Sequence, residues 1–121
     1  MKIQELETLV KGQKVHQIKC GNHRFIDITI VAIEGRFFVR QYKFGKRSWH
    51  HAFLKHPEGT MKTGNTVVDI DGVIPTDLEE INPKVNKAYL KLLGLIYPVM
   101  RLTFDTKKHE ASTLELIPKS L

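Results

Sequence analysis

The chain has 121 residues, of which 41% are hydrophobic and 26% are charged, as in an ordinary soluble globular protein. This length predicts one domain, 1–121, with enough chain to bury its own core. The longest apolar run, 92–100, is interrupted by Gly94 and Pro98 and is far shorter than the roughly 20 residues that span a bilayer, so we expect no membrane partner. A single cysteine, Cys20, excludes an internal disulfide and favours a cytoplasmic location.

The positive charge is concentrated in one segment. The chain carries 19 Lys and Arg against 13 Asp and Glu, a formal net charge of +6. Residues 36–57 hold six of these cations, three histidines and no Asp or Glu, so the rest of the chain is balanced. Guanidinium groups pair with phosphates and aromatic rings stack on planar rings, and Phe, Tyr and Trp alternate with the cations here. The segment suits a small anionic or phosphate-bearing ligand, although a solvated basic face would have the same composition.

The chain begins with a predicted helix followed by a short predicted strand. Ile3, Leu6 and Val10 recur at helical spacing, and Gly12 is a natural stop for the helix. Residues 14–19 alternate between apolar and polar side chains, which predicts a strand.

A β-hairpin is the strongest structural signal. The runs 25–33 and 36–42 are rich in β-branched and aromatic residues, and they flank the turn Glu34-Gly35. This turn pairs each residue before it with one after it: Ile33 with Arg36, Val31 with Phe38, Thr29 with Arg40, and Asp27 with Tyr42. One face is then uniformly apolar and is expected to join the core: Ile26, Ile28, Ile30, Ala32, Phe37 and Val39.

After Gly45 the sequence predicts a second helix, capped by Ser48 and ended by Pro57. On this helix one face carries Trp49, Ala52, Phe53 and His56.

Two strands, 60–63 and 66–70, are predicted to meet at Gly64-Asn65. A third helix is predicted from Asn82-Pro83 to Leu93, with Val85, Ala88, Tyr89 and Leu92 as its buried stripe. The stretch 105–111 is predicted to be a polar loop, and 112–117 a last strand. The order of elements indicates an α+β protein, mainly β, built on an antiparallel sheet or small barrel.

Three stretches of this sequence resemble a small bacterial family of unknown function. They are FFVRQYKFGKRSWHHAFLKHPEGTMKTGN, EEINPKVNKAYLKLLG and STLELIP. The resemblance rests on Val39-Arg40, Gly45, Trp49, Ala88-Tyr89 and Thr113-Leu114, and it extends over nearly the whole chain.

That family looks like a relative of the split β-barrels that bind flavins and deazaflavins, which include deazaflavin-dependent nitroreductases and pyridoxamine phosphate oxidases. The resemblance implies a split antiparallel β-barrel of about six strands with two to three peripheral helices. It also implies a homodimer, ligand sites at the subunit interface, FMN or a deazaflavin as cofactor, and oxidoreductase activity. The chain departs from the nitroreductases because it lacks their Gly-Arg-x-[Ser/Thr]-Gly phosphate loop.

The candidate cofactor-binding residues lie at the end of the hairpin and in the loop that follows. Arg40, on a strand, would hold a phosphate through charge-assisted hydrogen bonds; alternatively it is an exposed arginine that pairs with Asp27 or covers Phe38. Cations in the loop would add to the field of a helix N-terminus. A ring pocket is expected beside them. The full set is Arg40, Tyr42, Lys43, Lys46, Arg47, Ser48 and Trp49, with Trp49 alternatively a core anchor.

Three function hypotheses follow from these residues. The first is a flavin-like or phosphate-bearing cofactor in a reductase. The second is a barrel without a cofactor that works as a dimeric ligand-binding or interaction protein. The third is a nucleic-acid binding module in which bases stack on the basic, aromatic segment. We expect no metal site, because no Cys, His, Asp or Glu set has ligand spacing.

Overall fold

The computed structural model describes residues 1–40, 49–94, Tyr97 and 106–119. Its helices are α1 (Ile3–Lys11), α2 (Trp49–Lys55), α3 (Leu78–Leu93) and α4 (Thr106–Ala111). Its strands are β1 (His16–Cys20), β2 (Ile26–Ile28), β3 (Val31–Ile33), β4 (Arg36–Val39), β5 (Glu58–Thr63), β6 (Thr66–Val73) and β7 (Leu114–Pro118). None of the helices in these ranges is both long and apolar enough to cross a bilayer.

The strands form one antiparallel sheet in the order β2-β1-β5-β6-β7-β4-β3. Strands β2 and β3 therefore lie at opposite edges, although only Thr29 and Ile30 separate them in the chain. Three consecutive Cα–Cα steps span at most about 11 Å. The sheet has to curl until its two edges approach each other, and the result is a barrel-like sheet split between β2 and β3.

The prediction of one continuous strand over 25–33 is wrong, and this break raises the strand number from about six to seven. Where the ladder is interrupted, side chains distant in sequence replace its hydrogen bonds. The Ile30 N–H donates to Nδ1 of His16 (3.2 Å), and the Tyr89 hydroxyl donates to the carbonyl oxygen of Thr29 (2.8 Å). Because both partners come from other elements, no local sequence pattern marks the break.

The predicted hairpin turn and its inward face are confirmed. Glu34 and Gly35 both have positive φ angles, 51° and 77°, as a two-residue hairpin turn between twisted strands requires. The register pairs Ile33 with Arg36 and Val31 with Phe38, as predicted. The predicted place of Asp27 in this hairpin is wrong, because Asp27 pairs with Gln17 on β1. All six residues of the expected apolar face belong to the barrel core or pack against it: Ile26, Ile28, Ile30, Ala32, Phe37 and Val39.

A second, smaller core lies on the outer face of the hairpin, under α3. Val31 and Phe38 pack there against Ile81, Val85 and Tyr89. The predicted stripe of α3 is therefore confirmed, but the helix begins at Leu78, before its predicted start, and contains Pro83 in its interior.

The first turn of α3 is fastened by an arginine that belongs to the basic segment. Arg36 donates to both carboxylate oxygens of Asp77 (2.8 and 2.9 Å), the residue just before the helix, and to both of Glu115 on β7. These hydrogen bonds raise the pKa of Arg36 and lower the pKa of Asp77. The sequence does not predict the helix start at Leu78, because Asp77 is held by Arg36 on β4, which is 41 residues away in the chain.

The predicted loop over 105–111 is also wrong, because Thr106–Ala111 forms α4. Its side chains are mostly polar, so the sequence shows no apolar stripe. The residue that docks the helix is His109, which is fully buried.

Helices α1 and α2 close the two ends of the barrel. At one end Glu7 of α1 accepts a hydrogen bond from the Gly35 N–H (2.8 Å) in the β3–β4 turn. At the other end the Phe53 ring of α2 lies against the backbone of Gly59 and Gly72. A Cβ atom at Gly72 would lie 2.6 Å from Cδ1 of Phe53, so this contact requires glycine.

Gly72→Ala is expected to destabilise the protein by about 1–3 kcal/mol through overpacking against the Phe53 ring. Adding Phe53→Leu should recover part of this loss, because a shorter side chain makes room for the new methyl group. Gly12→Ala is the control, since its Cβ would meet its nearest neighbour at an ordinary 3.4 Å. Urea unfolding measures four variants: Gly72→Ala, Phe53→Leu, the double variant and Gly12→Ala. Strict additivity of Gly72→Ala and Phe53→Leu would contradict this account.

His16 links α1 to the break between β2 and β3, and it does so as a neutral imidazole. It is 2% exposed, its Nε2 donates to the carbonyl oxygen of Val10 (3.0 Å), and its Nδ1 accepts from Ile30. Burial lowers the pKa of His16 below its ordinary value of 6.5. A proton on Nδ1 would face the Ile30 N–H and break that hydrogen bond.

The free energy of unfolding is therefore expected to fall as the pH drops below 6.5, with a slope of up to about 1.4 kcal/mol per pH unit from His16. The sign follows because the unfolded chain takes up a proton there and the native state does not. His16→Gln keeps a donor and an acceptor but does not titrate. Urea unfolding of both proteins between pH 7.5 and pH 5 should show a smaller slope for the variant; equal slopes would contradict the prediction.

Candidate functional site

Arg40 directly follows β4 and is fully buried. All five of its N–H donors have partners. Its Nε donates to Oγ1 of Thr113 (2.9 Å), and Nη2 donates to Oδ1 (2.9 Å) and the carbonyl oxygen (3.2 Å) of Asn82. Its Nη1 donates to the Tyr97 hydroxyl (2.9 Å) and to Oδ1 of Asn86. Arg40 would contact a phosphate only if one of these hydrogen bonds broke.

The local sequence explains how these partners converge on one guanidinium group. Asn82 and Asn86 are four residues apart on α3, so their side chains leave the same face of the helix. Thr113 directly precedes β7, whose Leu114 pairs with Val39 beside Arg40. The three elements meet at the end of β4.

Further polar groups extend this network outward. The Tyr97 hydroxyl, which accepts from Arg40, is also hydrogen-bonded to Nε2 of His109 (2.9 Å). The Tyr97 ring also stacks on the ring of Tyr89, with centroids 5.2 Å apart. On the other side Nδ2 of Asn86 donates to Oε1 of Glu110 (3.1 Å). The side-chain amide of Asn86 thus connects the carboxylate of Glu110 to the buried guanidinium of Arg40.

The alternative interpretation of Arg40 as an exposed residue paired with Asp27 does not match this arrangement. Asp27 instead accepts a hydrogen bond from Gln17 (3.2 Å) on β1. The ring of Phe38 is covered by Arg36, whose Cζ lies 5.0 Å from the ring centroid. Arg40 fastens the end of β4 to α3 and β7.

The loop candidates Tyr42, Lys43, Lys46, Arg47 and Ser48 lie outside the described residues. The described residues on either side of them are the buried Arg40, directly after β4, and Trp49, the first residue of α2.

Trp49, the first residue of α2, is half-buried and packs against the barrel core. Its ring meets that of Phe53 edge-on, with centroids 6.4 Å apart. Phe53, which is 2% exposed, is the deeper anchor of the helix. Trp49 therefore contributes to packing and also borders the loop.

Sequence reasoning missed His50, the next residue of α2. Its Nε2 atom is buried and has no hydrogen-bond partner within the described residues. Burial, and secondarily the neighbouring His51, lower the pKa of His50. The sequence places two histidines side by side, but only packing distinguishes the half-buried His50 from the exposed His51.

One further side chain, that of Cys20, has a clear chemical state. Cys20 is buried and donates its thiol hydrogen to the carbonyl oxygen of His56 (3.1 Å), and burial raises the pKa of the thiol, so it is a poor nucleophile. Within the described ranges, no group of three or more His, Cys, Asp and Glu side chains is placed to hold a metal ion.

Solved structures with the same fold exist. The chain is similar to the crystal structure of a candidate pyridoxamine 5′-phosphate oxidase from Listeria innocua, with a TM-score of 0.61 and 8% identity over 98% of this chain and 94% of that one. It is also similar to a FAD-binding protein from Mesorhizobium loti, with a TM-score of 0.58 and 11% identity over 99% of this chain and 91% of that one. No protein-family model and no curated protein matches the sequence. The chain shares the fold of these two structures over almost its whole length.

Arg40→Lys is expected to destabilise the protein by about 3 kcal/mol, because a single ammonium group cannot satisfy the acceptors on α3, Thr113 and Tyr97 together. Arg24→Lys is the matched control, because Arg24 is exposed, and it should change stability by less than about 0.5 kcal/mol. Thermal and urea unfolding measure both variants. Equal stabilities for the two would mean that the network around Arg40 contributes little.

Proposed function

We propose that this protein binds a flavin-like cofactor and works as an oxidoreductase. The observation that carries the proposal is the likeness of fold, over almost the whole of both chains, to one candidate pyridoxamine 5′-phosphate oxidase and one FAD-binding protein. The resemblance of the sequence to a split-barrel family points to the same class. FMN or a deazaflavin is the cofactor we favour.

The proposed site is the loop between β4 and α2. Cations of the loop, Lys43, Lys46 and Arg47, would pair with the phosphate of the cofactor, and Ser48 would donate a hydrogen bond to it. Tyr42 and Trp49 would shape the pocket for the ring system. The contribution of Arg40 is then to hold the start of the loop in place, since its own donors are engaged within the protein.

The cofactor, when bound, supplies the hydride chemistry, and the protein supplies binding and orientation. Binding of the cofactor is tighter when the groups that contact it are already held in position, so a fixed residue next to the proposed site favours binding. Fully bonded and buried, Arg40 is such a residue on one side of the site in the chain, and the packed Phe53 is one on the other side.

The nucleic-acid hypothesis has less support from the described residues. Three aromatic rings of the basic segment, those of Phe37, Phe38 and Phe53, are at most 2% exposed. Buried rings cannot stack on bases, so much of the expected stacking platform belongs to the two cores. Arg36 is also neutralised by Asp77 and Glu115.

A homodimer in the cytoplasm completes the proposal. It rests on the family resemblance and on the single, buried Cys20. The outer face of the sheet leaves Val67 and Ile117 exposed, by 57% and 43%, where a second subunit would cover apolar surface. Sedimentation equilibrium of the purified protein measures the subunit number.

The visible spectrum of freshly purified protein, followed by titration with FMN, riboflavin and a deazaflavin, tests the proposed function. We expect saturable binding of at least one of them. Lys46→Ala/Arg47→Ala should weaken FMN binding by about tenfold or more, because two phosphate contacts are lost, and should leave riboflavin binding nearly unchanged. Riboflavin carries the same ring without the phosphate.

Lys14→Ala/Lys87→Ala is the charge-matched control, since both lysines are exposed and lie outside 36–57. An equal loss of FMN affinity in this control would point to a general charge effect. Absence of binding for every flavin would remove the proposed function and favour a barrel that works without a cofactor.

A further inference from the structure

The imidazole of His50 carries a buried polar atom that the described protein does not satisfy. Its Nε2 is shielded from solvent and has no hydrogen-bond partner among the described residues. Buried nitrogen atoms in folded proteins nearly always have a partner, because burial removes their hydrogen bonds to water. An unpartnered atom of this kind lowers stability, so its presence requires an explanation outside simple packing.

The position of His50 links it to the proposed cofactor site. It is the second residue of α2 and stands two positions after Ser48, one of the residues proposed to bind the phosphate. Its ring stands edge-on to the ring of Trp49, with centroids 5.8 Å apart and planes at 79°. The ring of His51 lies on its other side, at 6.3 Å. These neighbours fix the orientation of the imidazole without forming a hydrogen bond to Nε2.

The charge state of His50 restricts what it can bind. Burial and the proximity of His51 lower its pKa, so the imidazole is neutral near neutral pH. A neutral imidazole is suited to a carbonyl oxygen or a ring nitrogen, with which it exchanges one hydrogen bond in either direction. A phosphate would instead favour the protonated form, and the loop already contains three cations for that role.

We infer that His50 is a binding residue for the ring of the cofactor, and that its Nε2 forms a hydrogen bond with the polar edge of that ring. This inference rests on the proposed function and assigns a residue to it. The ligand class is a planar heteroaromatic system with carbonyl or nitrogen atoms along one edge. The hydrogen bond satisfies a buried atom that lacks a partner among the described residues. His50 is therefore expected to lower the stability of the free protein and to raise its affinity for the ligand.

This opposition provides the test. His50→Phe removes the unsatisfied nitrogen and retains a planar ring, so the melting temperature of the free protein should stay the same or rise. The dissociation constants for FMN and for riboflavin should both increase about tenfold, the loss expected for one hydrogen bond. His56→Phe is the matched control, because the His56 side chain is exposed, and it should change neither dissociation constant.

Two further measurements separate a ligand contact from a role in packing alone. His50→Gln retains a hydrogen-bonding group and should bind riboflavin more tightly than His50→Phe does. In the wild-type protein, the imidazole ¹⁵N signal of His50 should shift on addition of riboflavin, while that of His56 should not. The second measurement does not depend on how any variant folds.

The outcomes distinguish this inference from the proposed function. If the wild-type protein binds riboflavin and His50→Phe binds it equally well, His50 is not a contact and the proposed function stands. The same conclusion follows if the ¹⁵N signal of His50 does not respond to bound riboflavin. If the wild-type protein binds neither FMN nor riboflavin, both proposals are overturned.

Discussion

Closure of the sheet is the constraint on which the rest of the structure depends. Only Thr29 and Ile30 separate the strands at its two edges, so the edges have to approach each other and the sheet has to curl. The curled sheet has an inside, which is filled with apolar side chains, and two ends, which α1 and α2 cover. His16 and Tyr89 supply the hydrogen bonds that the short connection loses.

Closure also explains why the polar groups are gathered where they are. The outer face of β3 and β4 packs under α3. The side chain of Arg40, directly after β4, is therefore surrounded by protein and has no contact with solvent. Arg40 is therefore tolerated only because Asn82, Asn86, Tyr97 and Thr113 satisfy every donor. This saturated network holds the end of β4 against α3 in one arrangement. The Nε2 atom of His50 on α2 has the contrasting property, because it has no hydrogen-bond partner within the described residues.

Much of the fold could be predicted from local patterns. The alternation in 25–33 and 36–42 placed six side chains in the core correctly, and Glu34-Gly35 predicted the turn and the strand pairing next to it. The candidate site was harder to predict. The basic segment drew attention to Arg40, but its composition could not reveal that Arg36 is ion-paired and Arg40 buried, because their partners lie 41 to 79 residues away. His50 had no sequence signal that separated it from His51.

The sequence by itself determined the secondary structure of the hairpins and helices with clear periodicity, since hydrophobic spacing and turn residues act over a few positions. Only the tertiary structure decided that 25–33 divides into two strands at opposite edges, that 106–111 is helical, and which of the described cations remain available. Each of these outcomes depends on contacts between distant residues, such as His16 with Ile30 and the docking of the buried His109. Such contacts form only when the barrel closes, and no local pattern encodes them.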